Sequence, residues 1–393
     1  MPIPAISYKE IKNCRVTVFY TALLTILIMA AFLYIQNSYF KDTTSGKINN
    51  SITKCTSKEP LIISNISIGP ELSSLSNFQK VCDSFVADRH MVFIGIPTSI
   101  EEAEQDAARI SATLKDFAKA GVTPVVIAEP FYNGEIIDMK KLIAGGYDDV
   151  LNSFFWNIKE TGLTSEEMGI WVPFPEANTP SMDYPGREPR DFSLAVNTYA
   201  RIMHDFFAKG HVSILLDSKS YDPGDADWET GAYRSHNPYI SDIVPGSVSS
   251  IGIQGFPWKP ENESKTIGEL NARDFLQTQF LVEATSILNI YEVWYNTGTF
   301  YGTHLESDEV AVYLTAEERA NIHEEILAEI AYLQNKRLSV WINIFAEDKT
   351  DSYEATNWSY WGDDIDESHT DSFKTFISKL SDANIPLSLF GGK

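Results

Sequence analysis

The sequence predicts an α/β protein: a (β/α)8 (TIM-type) barrel preceded by an N-terminal transmembrane helix. Three observations lead there. Eight short apolar runs recur along the outer part of the chain, and segments of helical spacing separate several of them. Val16 to Ile35 (VTVFYTALLTILIMAAFLYI) is uncharged over about 20 residues, the length a helix needs to cross hydrocarbon.

The N-terminal elements come first. Lys9, Lys12 and Arg15 precede the apolar run, while Lys41 and Asp42 follow it and cancel. The positive-inside bias then makes residues 1–15 cytoplasmic and 16–35 a single-pass membrane anchor, with the remainder extracellular. A cleaved signal peptide is the competing reading, but its apolar core would be shorter, and no small-x-small site follows Leu33. Residues 36–58 are polar and form a juxtamembrane linker, leaving 59–393 for the barrel. Asn49, Asn65, Asn262 and Asn357 each begin an N-x-S/T sequon, which matters only in a host that glycosylates. Cys14 borders the membrane run. In an oxidising exterior Cys55 and Cys82 are expected to form a disulfide worth about 3 kcal/mol, with two buried thiols as the alternative.

The predicted strands are Leu61–Ser67, Met91–Pro97, Val122–Glu129, Gly169–Phe174, Val212–Asp217, Val248–Gly255, Ile287–Val293 and Leu338–Phe345. Runs apolar on both faces suit parallel strands covered by helices. Glu101–Ala120 should be a helix, with Ser99 and Glu102 as a capping box and Gly121 as terminator. Pro189–Lys209 opens on Pro and Asp, and Thr315–Asn335 opens on T-A-E-E, both helix starts. A doubly wound open sheet is the alternative, but its glycine-rich phosphate turn is missing: the stretch after Ile66 has only Gly69.

Composition narrows the partners. A formal charge of -23 disfavours nucleic acid and suits a neutral polymer. The histidines, among them His204, His211, His236 and His304, have no recognised ligand spacing, so no metal or cofactor is expected. No G-x-S-x-G elbow and no P-loop occur.

Chemistry in such barrels sits at the C-terminal strand ends. Glu176 follows the fourth predicted strand (WVPFPEANTP), and Glu292 ends the seventh (LNIYEVWYN). Two carboxyl groups facing across a mouth are what a retaining glycoside hydrolase needs. Glu129, Asp217, Glu347 and Asp348 are further strand-end acids, read as structural or substrate-contacting. Trp171, Trp258, Trp294 and Trp341 are candidate sugar-stacking platforms, with barrel packing as the alternative for each. Asn178 and Tyr295 are candidate polar substrate contacts.

These residues resemble glycoside hydrolase family 26, the β-mannanase-like family, over most of residues 85–385. Ile143, Gly146 and Asp149 fit an I-x-x-G-x-x-D helix. Pro173, Glu176 and Asn178 fit R-P-x-H-E-x-N, and Pro189–Gly210 is similar to a P-x-D-F helix. Ser250–Trp258 resembles a G-x-D-x-Y-x-W strand, Tyr291–Gly298 holds the strand-seven glutamate, and Trp358 matches a Trp after strand eight. The resemblance implies a retaining endo-glycosidase acting on β-linked polysaccharide, mannan first, with Glu176 as acid/base and Glu292 as nucleophile. Val172, Pro175, Gln254 and Phe256 depart from the family's Arg, His, acid and aromatic hydroxyl. A catalytically inactive glycan-binding barrel at the cell surface is therefore the alternative.

Overall fold

The computed structural model describes residues 89–132, 135–178, 188–218, 236–255, 272–297, 316–345, 375–376, 378–380, 382 and 387–390. All of them belong to one compact unit, Cys55–Lys393. The membrane run 16–35, the linker, Cys55, Cys82, the predicted strand Leu61–Ser67 and Trp258 lie outside the described residues. Among the described residues no helix is long and apolar enough to cross a membrane.

The elements in chain order are β1 (Arg89–Gly95), α1 (Ile100–Ala120), β2 (Thr123–Glu129), a hairpin of β3 (Phe131–Tyr132) and β4 (Glu135–Ile136), α2 (Met139–Ile143), α3 (Asp148–Glu160) and β5 (Ile170–Pro173). There follow α4 (Pro189–Phe206), β6 (His211–Asp217), a 3-10 turn (Asn237–Tyr239), β7 (Ser250–Gln254), α5 (Ala272–Phe275) and α6 (Thr278–Leu288). The last are β8 (Glu292–Thr297), α7 (Ala316–Asn335), β9 (Ser339–Phe345) and β10 (Leu387–Phe390). Eight strands close into a barrel in the order β1-β10-β9-β8-β7-β6-β5-β2, every neighbouring pair parallel. The closed (β/α)8 expectation holds, but its register along the chain shifts. The first barrel strand is Arg89–Gly95, and the last is Leu387–Phe390, which the sequence reading did not find.

Local chemistry accounts for the helices. Ser99 Oγ accepts from the Glu102 backbone N–H at 3.3 Å, and Glu102 Oε2 accepts from the Ser99 backbone N–H at 3.1 Å. Gly121 closes α1 at φ 71, a conformation glycine adopts without a Cβ clash. Pro189 opens α4, where its missing N–H costs nothing.

Strand alternation sorts the side chains into two cores. Val92, Val126, Trp171, Ile214, Ile251, Val293 and Tyr295 face outward and pack with the helices. Met91, Val125, Ile127, Ile170, Val172, Leu215, Trp294 and Trp341 form a separate buried cluster, the barrel interior. Trp294 and Trp341 are register partners on β8 and β9, and their rings stack at 4.4 Å and 5°. The Trp294 ring lies over Gly252 of β7, where an added Cβ would come within 2.2 Å of it.

Gly252→Ala should therefore force the indole to move and cost about 1–3 kcal/mol, read as a lower urea midpoint. In a Trp294→Leu background the penalty should shrink. Equal penalties in both backgrounds would show that the ring is not the obstacle.

Candidate active site

The C-terminal ends of four neighbouring strands carry the polar groups of the barrel mouth. β2 ends at Glu129, β6 at Asp217 and β7 at Gln254, while Glu176 follows β5, which runs between β2 and β6. All four are partly exposed. The hairpin β3–β4 lies just past Glu129, tied to the β1–α1 turn by Thr98 Oγ1 donating to Glu135 Oε2 at 2.9 Å.

Glu176 is held in a costly backbone conformation. Phe174 and Glu176 both have positive φ, 53° and 55°, at about 1–3 kcal/mol each for non-glycine residues. The surroundings enforce it. Phe174 is fully buried, edge-on to Tyr199 at 6.0 Å, and its N–H donates to Ala128 O at 3.0 Å. The Glu176 N–H donates to Leu215 O on β6 at 2.9 Å.

Asn178 pins the next strand end. Its Nδ2 donates to Asp217 O at 2.8 Å, and its Oδ1 accepts from the Asp217 N–H at 2.8 Å. His236 Nε2 donates to the same carbonyl at 2.8 Å. His236 is buried against the Phe280 ring at 4.7 Å. Burial holds its pKa below the usual imidazole value, partly opposed by the Asp217 carbonyl.

Beside these groups runs a string of amides on three adjacent strands in register, Gln254, Asn296 and Asn343. Asn343 Nδ2 donates to Asn296 Oδ1 at 2.5 Å, and Asn296 Nδ2 donates to Gln254 Oε1 at 2.5 Å. Among the described residues no three His, Cys, Asp or Glu side chains come together to hold a metal ion.

Glu292 does not belong to this mouth. It opens β8 instead of ending it, in register with Ser250 and Ser339 at the starts of β7 and β9. The run ILNIYEV spans two elements: α6 ends at Leu288, and Asn289, at φ 55, caps it before the strand begins. Glu176 and Glu292 thus sit at opposite ends of the barrel. Glu292 Oε1 instead accepts from Trp341 Nε1 at 3.0 Å and pairs with Arg89 at 3.5 Å. The Arg89 guanidinium covers the Trp341 ring at 4.4 Å.

The other predicted contacts are mostly interior. Trp171, Trp294, Trp341 and Tyr295 are fully buried. Trp171 wedges between Phe154 and Phe155, with Nε1 donating to Met168 O at 2.9 Å. Tyr295 faces the helices and shares a 2.9 Å hydrogen bond with Thr278 Oγ1. Burial drives the pKa of its phenol strongly upward. These rings are packing, not sugar platforms. Asn178, 2% exposed, acts on the Asp217 backbone. Sequence reasoning missed Asn296 and Asn343. The alternation in E-V-W-Y-N-T, with Glu292, Trp294 and Asn296 on one face, was the available signal.

No protein-family model and no curated protein matches the chain. Among solved structures, a family 1 β-glucosidase from Thermotoga maritima is similar at 11% identity and TM-score 0.48, over 77% of this chain and 84% of that one. The β-glucosidase from Thermotoga maritima in complex with cyclophellitol is similar at 10% identity and TM-score 0.47, over 75% and 83%. Likeness at that level decides neither family nor activity, and the barrel stands on its own strand register.

Two outcomes follow. Glu292→Ala strips the buried Trp341 Nε1 of its acceptor and removes one partner of Arg89, and should cost about 1–3 kcal/mol, seen as a lower urea midpoint. An unchanged midpoint would mean that these bonds contribute nothing to stability. The lowered pKa of His236 makes its contribution present above about pH 6.5, the unfolded value. It is lost as pH falls through the folded pKa. Urea midpoints between pH 7.5 and 5 should therefore fall less steeply for His236→Gln than for the parent. Identical slopes would refute the assignment.

Proposed function

We propose that this chain is a retaining glycoside hydrolase of β-linked polysaccharide, working at the C-terminal mouth of its barrel. The observation that carries the reading is Glu176. It is partly exposed just past a strand end and held at φ 55 by hydrogen bonding to β6. Strain of this kind persists only where the surroundings enforce it, and it concentrates at functional sites.

Asp217 is the partner carboxylate. β5 and β6 are neighbours, and adjacent strands lie about 4.7–4.9 Å apart. Carboxylates at neighbouring strand ends suit the roughly 5–5.5 Å separation of a retaining pair better than the wider inverting one. In this mechanism Glu176 protonates the leaving glycosidic oxygen as Asp217 attacks the anomeric carbon. The C–O bond to the leaving sugar breaks, and a glycosyl ester forms. Glu176, now a carboxylate, takes a proton from water, which displaces Asp217 and releases the sugar. Asn178 and His236 fix the Asp217 backbone while this happens. Glu129, on the other side of β5, is a substrate-contacting acid.

Family 26 membership, mannan as first substrate and endo action are parts of the proposal supported by the order of the sequence segments. So is attachment to the outer face of a membrane, supported by the uncharged run 16–35 behind Lys9, Lys12 and Arg15. A non-catalytic glycan-binding barrel is the second reading. It is favoured by the buried Val172 where the resemblance has Arg.

The test is reducing-sugar release by the detergent-purified full chain on mannans, glucans and xylans. Glu176→Gln and Asp217→Asn should each lower the rate about 10²- to 10⁴-fold. Glu292→Gln should keep its activity per folded molecule. A product released with inverted anomeric configuration would rule out the Glu176–Asp217 pair. An inactive parent that still binds oligosaccharide would establish the second reading.

A further inference from the structure

The string Gln254–Asn296–Asn343 has a use that packing does not explain. Asn343 is fully buried and Asn296 nearly so at 3%, whereas Gln254 is partly exposed at the mouth. Only one end of the string meets solvent. That end shares a register row with Asp217. Its own hydrogen bond points inward, from Asn296 Nδ2 to Gln254 Oε1. The Gln254 NH2 is what the string offers outward.

An amide keeps its shape when turned through half a turn, with oxygen and nitrogen exchanged. Turning all three over reverses every donor and acceptor and preserves both bonds. The deep end is indifferent to the choice. Asn343 Oδ1 is buried without a partner among the described residues, and the reversed string would leave Nδ2 in the same place. Leaving either buried amide atom unpaired carries a similar cost, about 1–3 kcal/mol. The two polarities are therefore closely matched, and Gln254 can present either N–H or C=O to the mouth while staying anchored.

We infer that Gln254, held by Asn296 and Asn343, is a recognition site for the hydroxyl groups of a neutral sugar bound beside Asp217. This rests on the glycosidase reading and adds a residue that contacts substrate to it. A hydroxyl both donates and accepts, so it pairs with the string in either polarity. A carboxylate only accepts, an ammonium only donates, and each would pair with one polarity alone. Anchoring also matters. A free glutamine loses side-chain entropy when it binds, while one already bonded to Asn296 has lost much of it beforehand.

The experiment uses the full chain in detergent micelles with mannohexaose, cellohexaose and xylohexaose as neutral probes and hexagalacturonate as the acidic one. Dissociation constants are measured by calorimetry, and kcat and KM by sugar release. At least one neutral probe should bind, and more tightly than hexagalacturonate. Gln254→Met, nearly isosteric and apolar, should raise Kd and KM at least 10-fold while kcat stays within about threefold and Tm is unchanged. Gln254→Glu keeps an acceptor at the mouth and should stay within about threefold of the parent Kd for the neutral probe. Cleavage with an unchanged Kd in Gln254→Met overturns the inference and leaves the hydrolase reading intact. Neutral binding without cleavage, sensitive to Gln254→Met, supports the inference and overturns the hydrolase. A parent that binds none of the probes overturns both.

Discussion

The stacked indoles of Trp294 and Trp341 decide what this barrel can be. Parallel at 4.4 Å, they fill the interior between β7, β8 and β9. Such a pair contributes about 0.5–1.5 kcal/mol beyond its area burial. Each indole N–H must find an acceptor in that dry space. Trp294 Nε1 donates to Ser213 Oγ at 2.8 Å, and Trp341 Nε1 to Glu292 Oε1 at 3.0 Å. Glu292 in turn requires a cation, supplied by Arg89, which also covers the outer face of Trp341. The N-terminal end of the barrel is thereby committed to packing. Through Oε1 the Glu292 carboxylate is tied to a buried indole and an arginine of the fold.

The same register builds the other end. Interior side chains recur every second residue, so each member of the floor dictates what stands above it. Two residues beyond Trp294 is Asn296, and two beyond Trp341 is Asn343. Two beyond Gly252 is Gln254, and two beyond Leu215 is Asp217. A one-residue slip of β8 would put Glu292, Trp294 and Asn296 all against the helices and turn Val293, Tyr295 and Thr297 into the interior. The amide string and the strand-end carboxylate are consequences of seating the tryptophans.

Much of the fold was legible because it rests on local chemistry. Ser99 with Glu102, Gly121 and Pro189 marked helix ends that the structure reproduces. The apolar runs of β1, β2, β5, β6, β7 and β9 were plain because both faces of those strands are covered. Two things were not legible. β10 is Leu387–Phe390 (LSLF), where Ser388 breaks the apolar run, whereas the equally short β5 (IWVP) is apolar throughout. The boundary between α6 and β8 rests on Asn289 adopting a left-handed conformation, which an asparagine tolerates but does not announce. That single residue moved Glu292 from the end of a strand to its beginning. Glu176 was legible because Pro173 ends its strand before it. The tryptophans were misassigned for a different reason: aromatic content cannot say which face of a strand a ring occupies, while alternation can.

The placement of charge completes the case for a neutral ligand. The chain carries 54 acidic against 31 basic residues, and Glu129, Glu176 and Asp217 stand at one mouth. Arg89 is held at the far end of the barrel by Glu292 and the Trp341 ring. It cannot offset the acids of the mouth without abandoning the floor. A cationic ligand would meet the amide string in only one of its two polarities. A hydroxylated, uncharged chain is repelled by none of these groups, and its hydroxyls can donate to the carboxylates and pair with Gln254 in either sense. The tryptophan floor fixes the arginine at one end, and the same register sets strand-end carboxylates beside an amide edge at the other, where the hydroxyls of a polyol can pair with both.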